Sequence, residues 1–162
     1  MGSRRDTHQE TNWAYIAGFF DGDGSLMVQI KNRRDTSRGW RIMFTICFYQ
    51  DSRHREPLQW MRSVLEIGHL HDRVDGITEL RINGYSQVQK ILQSMQPYIR
   101  FKKQQVATAL KILEAIEGKS FLSLSVKSRT QLADWFSEIR EANYHSSARK
   151  FSADEIKELL TR

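Results

Sequence analysis

The sequence predicts an α+β domain of the αββαββα type, with a four-stranded antiparallel, saddle-like sheet and helices packed on one face of it. Three observations predict this fold. Apolar residues alternate at a period of two in four segments, and segments with helical spacing separate these four into two pairs. A short polar turn joins each pair, which is typical of antiparallel hairpins. The chain has 162 residues, of which 40% are hydrophobic, enough for one domain with a core.

The ends and the single cysteine indicate how the chain is organised and where it works. We expect residues 1–9 to form a flexible leader, in part left by cloning, and residues 10–162 to form a single domain. Cys47 allows no internal disulfide, and the sequence has neither a membrane-length apolar run nor a secretory signal. We therefore expect an intracellular protein of the cytoplasm, the nucleoid, or an organelle such as a chloroplast or mitochondrion, and not a secreted one.

The first helix and hairpin are read from a change of period. Thr11 or Asn12 can cap a helix that runs to about Gly22. From Ser25 onward the apolar period becomes two, and the polar turn NRRDTSRG separates two strands. The residues expected on the buried faces of these strands are Leu26, Val28, Ile30, Ile42, Phe44, Ile46 and Phe48.

The later elements follow from turn and cap signals. Asp75 and Gly76 split a second hairpin. Helices are predicted at about 57–66, 86–95, 100–117, 130–143 and 152–160. The last of these begins with a capping box, in which Ser152 and Glu155 bond each other's backbone N–H groups.

The positive charge of the chain is concentrated in one segment. The formal net charge is +6, and residues 26–55 contain seven lysines and arginines against two acidic residues. This segment holds the first hairpin, whose outer face is basic. A local basic surface favours a polyanionic partner.

The stretch AYIAGFFDGDGS, residues 14–25, has a helix face made of small residues. Ala14, Gly18 and Gly22 are four apart, so they share one face. Glycine in a helix interior costs up to about 1 kcal/mol relative to alanine, so this face predicts close approach by another helix. Because the stretch occurs once in the chain, we expect its partner to be the same helix of a second copy, in a twofold dimer.

The same stretch ends in two acids, Asp21 and Asp23. In a dimer the acid pairs of both helices meet, and crowded carboxylates repel unless cations neutralise them. Mg²⁺ prefers oxygen ligands and accepts phosphate oxygens, so acids, basic sheet and dimer together predict metal-assisted phosphodiester hydrolysis. Two alternatives are a plain Asp-Gly turn and a calcium loop, which fails because its sixth and twelfth positions would be Leu26 and Asn32.

The segment YIAGFFDGDGS resembles the signature motif of the LAGLIDADG homing endonucleases, with residues 15–24 in the order of the motif. A single motif in a chain of this length resembles the homodimeric, intron-encoded branch. The resemblance implies a site-specific endonuclease that makes a double-strand cut in a long pseudo-palindromic DNA site. Mg²⁺ is the implied cofactor, with Mn²⁺ as a substitute. The implied partners are double-stranded DNA and a second copy, with no membrane and no small-molecule substrate.

The resemblance also implies roles for the residues of the motif. Asp23 matches the metal-binding catalytic carboxylate, and the carbonyl of Gly22 is expected to reach the metal. Asp21 resembles a structural residue that caps the helix pair of the dimer. The predicted dimer interface is therefore Ala14, Gly18, Asp21 and Gly22.

Three catalytic positions outside the motif are implied in the same way. Gln50 matches a glutamine at the end of the second strand, and Lys102 matches the active-site lysine, although Lys103 is adjacent. Among Arg53, His54 and Arg55, His54 has the aligned spacing for the basic residue that follows the glutamine. The predicted catalytic set is Asp23, Gln50, Lys102 and His54.

The outer face of the sheet is expected to bind DNA, because a two-stranded ribbon fits the major groove. Arginine suits guanine, glutamine suits adenine and glutamate suits cytosine, whereas Arg34 and Arg38 in the turn are expected to contact phosphates. The predicted set is Met27, Gln29, Lys31, Arg33, Arg34, Arg38, Arg41, Met43, Thr45, Cys47, His71, Arg73, Glu79 and Arg81. Two alternatives stay open: a regulator or intron splicing helper (maturase) on the same scaffold without cleavage, and a basic nucleic-acid-binding homodimer in which DGDGS is only a turn.

Overall fold

The structure, a computed structural model, describes residues 4–36, 38–143 and 151–161. Six α-helices and four strands lie in these residues. They are α1 (Arg4–Asp23), β1 (Gly24–Asn32), β2 (Trp40–Asp51), α2 (Glu56–Leu65), β3 (His69–Asp72), β4 (Ile77–Asn83), α3 (Tyr85–Met95), α4 (Lys103–Ile116), α5 (Val126–Ala142) and α6 (Ala153–Thr161). The predicted α+β class and its element order are confirmed.

The four strands form one open sheet in the order β1-β2-β4-β3. Strand β4 is antiparallel to both β2 and β3, with Cys47 opposite Arg81 and Tyr49 opposite Glu79. The predicted turn of the second hairpin is confirmed, because Gly76 has a φ of +81°, which a glycine adopts without strain. Strand β4 is thus an inner strand, with side chains of β2 and β3 on either side.

Helix α1 begins earlier than predicted. It starts at Arg4 and takes in residues 4–9, which we expected to form a flexible leader. No glycine or proline in this segment ends a helix, so the capping residues at Thr11 and Asn12 are passed without a break. Residues 1–3 of the predicted leader lie outside the described residues.

The chain divides into two compact units. The first comprises Met1–Met27 and Met43–Lys103, and the second comprises Val28–Ile42 and Gln104–Arg162. In the first unit, the buried ring of Phe20 from α1 lies 6.1 Å from that of Phe48, centroid to centroid. The other buried side chains of this unit include Ile16, Phe44, Ile46, Leu58, Met61, Leu80, Ile82, Val88 and Leu92.

The second unit buries strand residues with the apolar stripes of α4 and α5. Its buried side chains include Val28, Ile30, Ile42, Val106, Leu110, Leu113, Leu132, Phe136 and Ile139. Helix α6 packs on α5, and its predicted capping box is confirmed. The backbone N–H of Glu155 donates to Ser152 Oγ at 3.1 Å, and that of Ser152 donates to the Glu155 carboxylate at 2.5 Å.

None of the helices in the described part of the chain is both long enough and apolar enough to span a membrane.

Candidate active site and nucleic-acid interface

Helix α1 ends in two carboxylates that oppose its own dipole. Its last turn contains Asp21 and Asp23 and no basic residue, although the C-terminal end of a helix carries partial negative charge. Gly24 follows at once, and a Cβ at this position would lie 2.6 Å from a ring carbon of Phe20 and 2.7 Å from its backbone. The tight passage from helix to strand therefore requires glycine and leaves Asp23 exposed beside the start of β1.

Asp21 is bound within its own chain. It is 8% exposed, and its carboxylate accepts backbone N–H groups from Arg100 at 2.5 Å, Phe101 at 3.2 Å and Lys102 at 3.1 Å. The structural role predicted for Asp21 was to cap a helix pair across a dimer. Within the chain, its carboxylate caps residues 100–102 instead, and the cap across a dimer stays a prediction. These bonds hold residues 100–102 out of the helix, so α4 begins at Lys103 and not at Arg100 as predicted.

Lys102 contacts the end of α1 with its side chain. Its Nζ donates to the backbone carbonyl of Asp21 at 2.6 Å and lies 5.6 Å from the ring centre of Phe20. Burial lowers the pKa of Lys102 below its ordinary value of 10.5, while the negative charges of Asp21 and Asp23 act in the opposite direction. Lys103 is exposed. Of the two adjacent lysines, it is Lys102 that the structure brings to the two aspartates.

Gln50 lies at the end of β2, next to a hydrogen bond between Tyr49 and Ser25 that the sequence did not indicate. Its side-chain oxygen accepts the backbone N–H of Asp51 at 2.9 Å. The preceding Tyr49 and Ser25 join hydroxyl to hydroxyl at 3.1 Å, which ties the end of β2 to the start of β1. Burial raises the pKa of Tyr49 to about 12, so this hydroxyl stays protonated at neutral pH. The sequence feature that could have indicated this hydrogen bond is Ser25, which directly follows the acidic stretch.

The three candidates for the basic position after Gln50 differ in their partners. Arg53 donates twice to the carboxylate of Asp51, at 3.0 and 2.7 Å. Arg55 donates to Asp72 at 2.9 Å. His54 is exposed and forms no ion pair with the described residues. The geometry therefore leaves His54 available for a ligand, whereas both arginines are held by carboxylates.

The oxygen atoms at the end of α1 fit a divalent metal whose remaining ligands are waters and phosphate oxygens. Asp23 makes no hydrogen bond within the described residues, and the carbonyl of Gly22 is among the last four of α1, which lack a partner inside the helix. No cluster of three or more His, Cys, Asp or Glu lies in the described ranges. Mg²⁺ keeps several waters and takes phosphate oxygens. Two oxygen donors per chain therefore fit an open Mg²⁺ site and not a closed protein cage.

Three residues predicted to read DNA bases are buried in the first unit, which corrects the prediction. Thr45 is 6% exposed, Cys47 0% and Glu79 6%. They lie on the inner strands β2 and β4, where neighbouring side chains cover them. Thr45 donates to the side chain of Asn83 at 2.7 Å, and Cys47 lies opposite Arg81. Their burial excludes direct contact with a ligand, so these positions pack beneath the exposed side chains of the sheet.

Two arginines on this face share one carboxylate. Glu79 accepts from Arg73 at 3.1 Å and from Arg81 at 2.8 Å, and Arg73 also contacts Asp75 at 2.5 Å. The side chains of Arg73 and Arg81 are 41% and 47% exposed, against 7% for Glu79. The arginines are thus the groups that a ligand can reach. Of the other predicted residues in this unit, His71 is exposed, and Met27 and Met43 are half-buried.

In the second unit, most of the predicted contact residues are exposed. Arg33 forms a bidentate pair with Asp35 at 2.9 and 2.8 Å. The exposed residues of the predicted set in this unit are Gln29, Lys31, Arg33, Arg34 and Arg41.

Arg38 packs against two rings, which favours a structural role over the predicted contact with a phosphate. Its guanidinium lies 4.8 Å from the ring centre of Trp40 and 4.7 Å from that of Phe121, and the two rings meet edge to face at 5.1 Å. Trp40 and Phe121 are both buried. Cation–π contact of this kind is stabilising. Arg38 therefore anchors the turn at the start of β2 to residues that follow α4.

Comparison with known proteins agrees with the motif and with the fold. Residues 16–113 match the family described as LAGLIDADG endonuclease. The chain is 25% identical to the DNA endonuclease I-CreI of Chlamydomonas reinhardtii over 146 residues, 90% of this chain and 86% of the relative. It is 27% identical to the DNA endonuclease I-CvuI of Chlorella vulgaris over 109 residues, 67% and 68% of the two chains.

Solved structures share the fold. The homing endonuclease I-CvuI, crystallised with its target in the presence of Ca²⁺, superposes with a TM-score of 0.82 at 22% identity, covering 95% of both chains. The archaeal intron-encoded homing endonuclease I-Vdi141I, complexed with DNA, has a TM-score of 0.76 at 19% identity, covering 94% of this chain and 96% of the other. At these identities the likeness establishes the fold alone. The family match spans more than half of this sequence and includes Asp23, Gln50 and Lys102, so the chain belongs to the LAGLIDADG endonuclease family.

Proposed function

We propose that this chain is a site-specific homing endonuclease that makes a double-strand cut in a long pseudo-palindromic DNA site by metal-dependent phosphodiester hydrolysis. One observation carries the proposal. Asp23 ends α1 as an exposed carboxylate without a hydrogen bond in the described residues, two residues after the Asp21 carbonyl that accepts Lys102 Nζ. The names of the relatives I-CreI and I-CvuI as DNA endonucleases support it.

A homodimer is part of the proposal. The face formed by Ala14, Gly18 and Gly22 is exposed, and a Cβ added at Gly18 or Gly22 would meet nothing within 4 Å in its own chain. Packing within the chain therefore does not explain these two glycines. Close approach by α1 of a second copy explains both, and it brings two copies of Asp23 together at the dimer axis.

The chain's own residues supply charge and orientation at the cut. Asp23 and the carbonyl of Gly22 would hold Mg²⁺, or Mn²⁺ as a substitute. When bound there, such a metal would supply Lewis-acid chemistry: polarisation of the scissile phosphate, a lowered pKa for a bound water and stabilisation of the departing 3′ oxygen. Lys102 stabilises the negative charge that develops on the phosphate. Gln50 and His54 orient the water, and the two sites of the dimer cut one strand each, which leaves 5′-phosphate and 3′-hydroxyl ends.

The exposed polar residues of the sheet are proposed to recognise the target. In the first unit these are His71, Arg73 and Arg81, and in the second they are Gln29, Lys31, Arg33 and Arg41, with Arg34 on a phosphate. We also propose an intracellular location, in the cytoplasm, the nucleoid or an organelle, because neither the DNA substrate nor the buried, unpaired Cys47 requires an oxidising compartment.

A cleavage assay tests this function. A supercoiled plasmid library with randomised pseudo-palindromic inserts is incubated with the protein and Mg²⁺, and linearised molecules are sequenced. Selected sites are then cut with Mg²⁺, and binding alone is measured with Ca²⁺. We expect linear product with Mg²⁺ and none with Ca²⁺. Asp23→Asn should bind the selected site and not cut it.

The matched control for Asp23→Asn is the same change at Asp134, an exposed aspartate of α5, which should cut like wild type. Cleavage by Asp23→Asn at the wild-type rate would refute the mechanism. A wild-type protein that binds a preferred site and never cuts it with Mg²⁺ or Mn²⁺ would favour the non-cleaving regulator or splicing helper.

A further inference from the structure

The segment that carries Lys102 has no regular structure of its own. Residues 100–102 lie between the 3₁₀ turn Gln96–Tyr98 and the start of α4. Without other bonds such a segment samples many backbone conformations. All three of its N–H groups end on the one carboxylate of Asp21. The backbone of the segment is therefore ordered by a single side chain from the end of α1.

The side chain of Lys102 returns to the same residue. Asp21 accepts the backbone N–H of Lys102 with its carboxylate at 3.1 Å and the Nζ of Lys102 with its carbonyl at 2.6 Å. A lysine ammonium stands on a flexible four-carbon stem and loses rotamer entropy when it is held. Attachment at both ends of the residue removes most of that freedom before a substrate arrives.

The position of this ammonium matters for cleavage, because a misplacement of about 1 Å at a reacting group costs on the order of 100-fold in rate. Asp21 precedes the metal-binding Asp23 by two residues on the same helix turn. The carboxylate of Asp21 is buried and already holds three donors, so it is not available as a metal ligand. Its position instead couples the lysine segment to the end of α1.

We propose that Asp21 is a positioning residue of the cleavage reaction, which holds Lys102 beside Asp23 by fixing the backbone of residues 100–102. The inference rests on the proposed endonuclease function. It assigns the two aspartates of the motif different tasks in one site. Asp23 faces the metal and the phosphate, and Asp21 acts only through Lys102.

The first test is a double-mutant cycle in single-turnover cleavage. Asp21→Asn keeps the shape of the side chain and removes its charge. We expect it to reduce the single-turnover rate by about 100-fold, with affinity for the target in Ca²⁺ within about threefold of wild type. In a Lys102→Met background the same change should reduce the remaining rate by less than about threefold, because residues that act through each other are not additive. Equal losses in both backgrounds would overturn the proposal and indicate a general structural role.

The pH profile gives a second readout. The negative charge of Asp21 raises the pKa of Lys102 against the effect of burial. In Asp21→Asn, the fall of the single-turnover rate at alkaline pH, where Lys102 loses its proton, should therefore occur at a lower pH. A fall at the same pH as in wild type would contradict the proposed link.

A backbone variant tests the same link if Asp21→Asn does not fold. Phe101 is 85% exposed, so Phe101→Ala should cut like wild type. Phe101→Pro removes one of the three N–H donors and should lower the single-turnover rate without weakening target binding. Equal rates for these two variants would overturn the proposal. A wild-type protein without any cleavage would instead refute the endonuclease function, so the two failures are distinguishable.

Discussion

The guanidinium of Arg81 donates to the carboxylate of Glu79 at 2.8 Å, and the same carboxylate accepts from Arg73 at 3.1 Å. Because Glu79 is almost fully buried and both arginines are half-exposed, the carboxylate serves to orient them. An arginine held in this way loses less freedom when it binds a base. The glutamate that we expected to read cytosine is better understood as the support for two arginines, which we propose read guanine.

Arg81→Ala should relax base preference at one position in each half-site. A bidentate arginine–guanine contact contributes about 1–3 kcal/mol of discrimination, so the preferred base at that position should lose most of its advantage. Cleavage of all single-base variants of the selected target measures this. A base-preference profile identical to that of wild type would refute the proposed role of Arg81 in base recognition.

Glu79→Gln should relax preference at two positions at once, those read by Arg73 and Arg81. The change also removes a negative charge from the DNA-binding face, so binding to random DNA should become tighter at low salt. Competition between target and random duplexes measures both effects. Glu114→Gln, at an exposed position of α4, removes the same charge elsewhere and should leave the preference profile unchanged. Relaxation at only one position would mean that Glu79 supports one arginine.

Arg38→Ala should lower the stability of the protein, whereas Arg34→Ala should lower the salt dependence of its DNA binding. Loss of Arg38 removes contacts with Trp40 and Phe121, each worth about 0.5–1 kcal/mol at exposed sites, so the free energy of unfolding should fall. The slope of target affinity against salt should stay as in wild type. Arg34→Ala should leave stability unchanged and reduce that slope by about one, as expected for one lost phosphate contact. Denaturant unfolding and salt titrations test both, and a reduced slope in Arg38→Ala would restore the phosphate contact for Arg38.

Lys102 should make stability depend on alkaline pH. Its folded-state pKa is below the ordinary 10.5 because burial disfavours the charged form. Between the lowered pKa and 10.5 the unfolded chain binds more protons than the folded one, so this residue's contribution to stability rises with pH. The stability gained by Lys102→Met relative to wild type should thus shrink as pH approaches 10.5. Urea unfolding of wild type and Lys102→Met at several pH values measures it.

Gly18→Leu should separate the subunits without unfolding them. A side chain at this position meets nothing in its own chain, and leucine has the higher helix propensity, by up to about 1 kcal/mol. It blocks the close approach of a second α1, so sedimentation should show a monomer, and cleavage should be lost. Gln93→Leu, at an exposed position of α3, should stay dimeric. A dimeric Gly18→Leu protein would place the interface elsewhere.

The sequence by itself determined the elements that depend on local pattern. Leu26, Val28 and Ile30 are buried at alternate positions of β1, and Ser152 and Glu155 cap α6, because period and capping involve residues a few positions apart. The motif likewise sufficed to single out Asp23 at the end of α1. The predicted start of α1 was wrong because residues 4–10, before the possible cap, contain no glycine or proline and continue the helix.

The tertiary structure decided which polar side chains face a ligand and which support others. The partner of Asp21 lies 79 to 81 residues along the chain, and Arg38 meets a ring from Phe121. Thr45, Cys47 and Glu79 alternate as outward residues should, yet neighbouring strands cover them. Burial on a sheet face depends on the side chains of adjacent strands, and strand order brings together residues that no local pattern relates. Only the folded structure therefore separates side chains that a ligand can reach from side chains that hold those side chains in place.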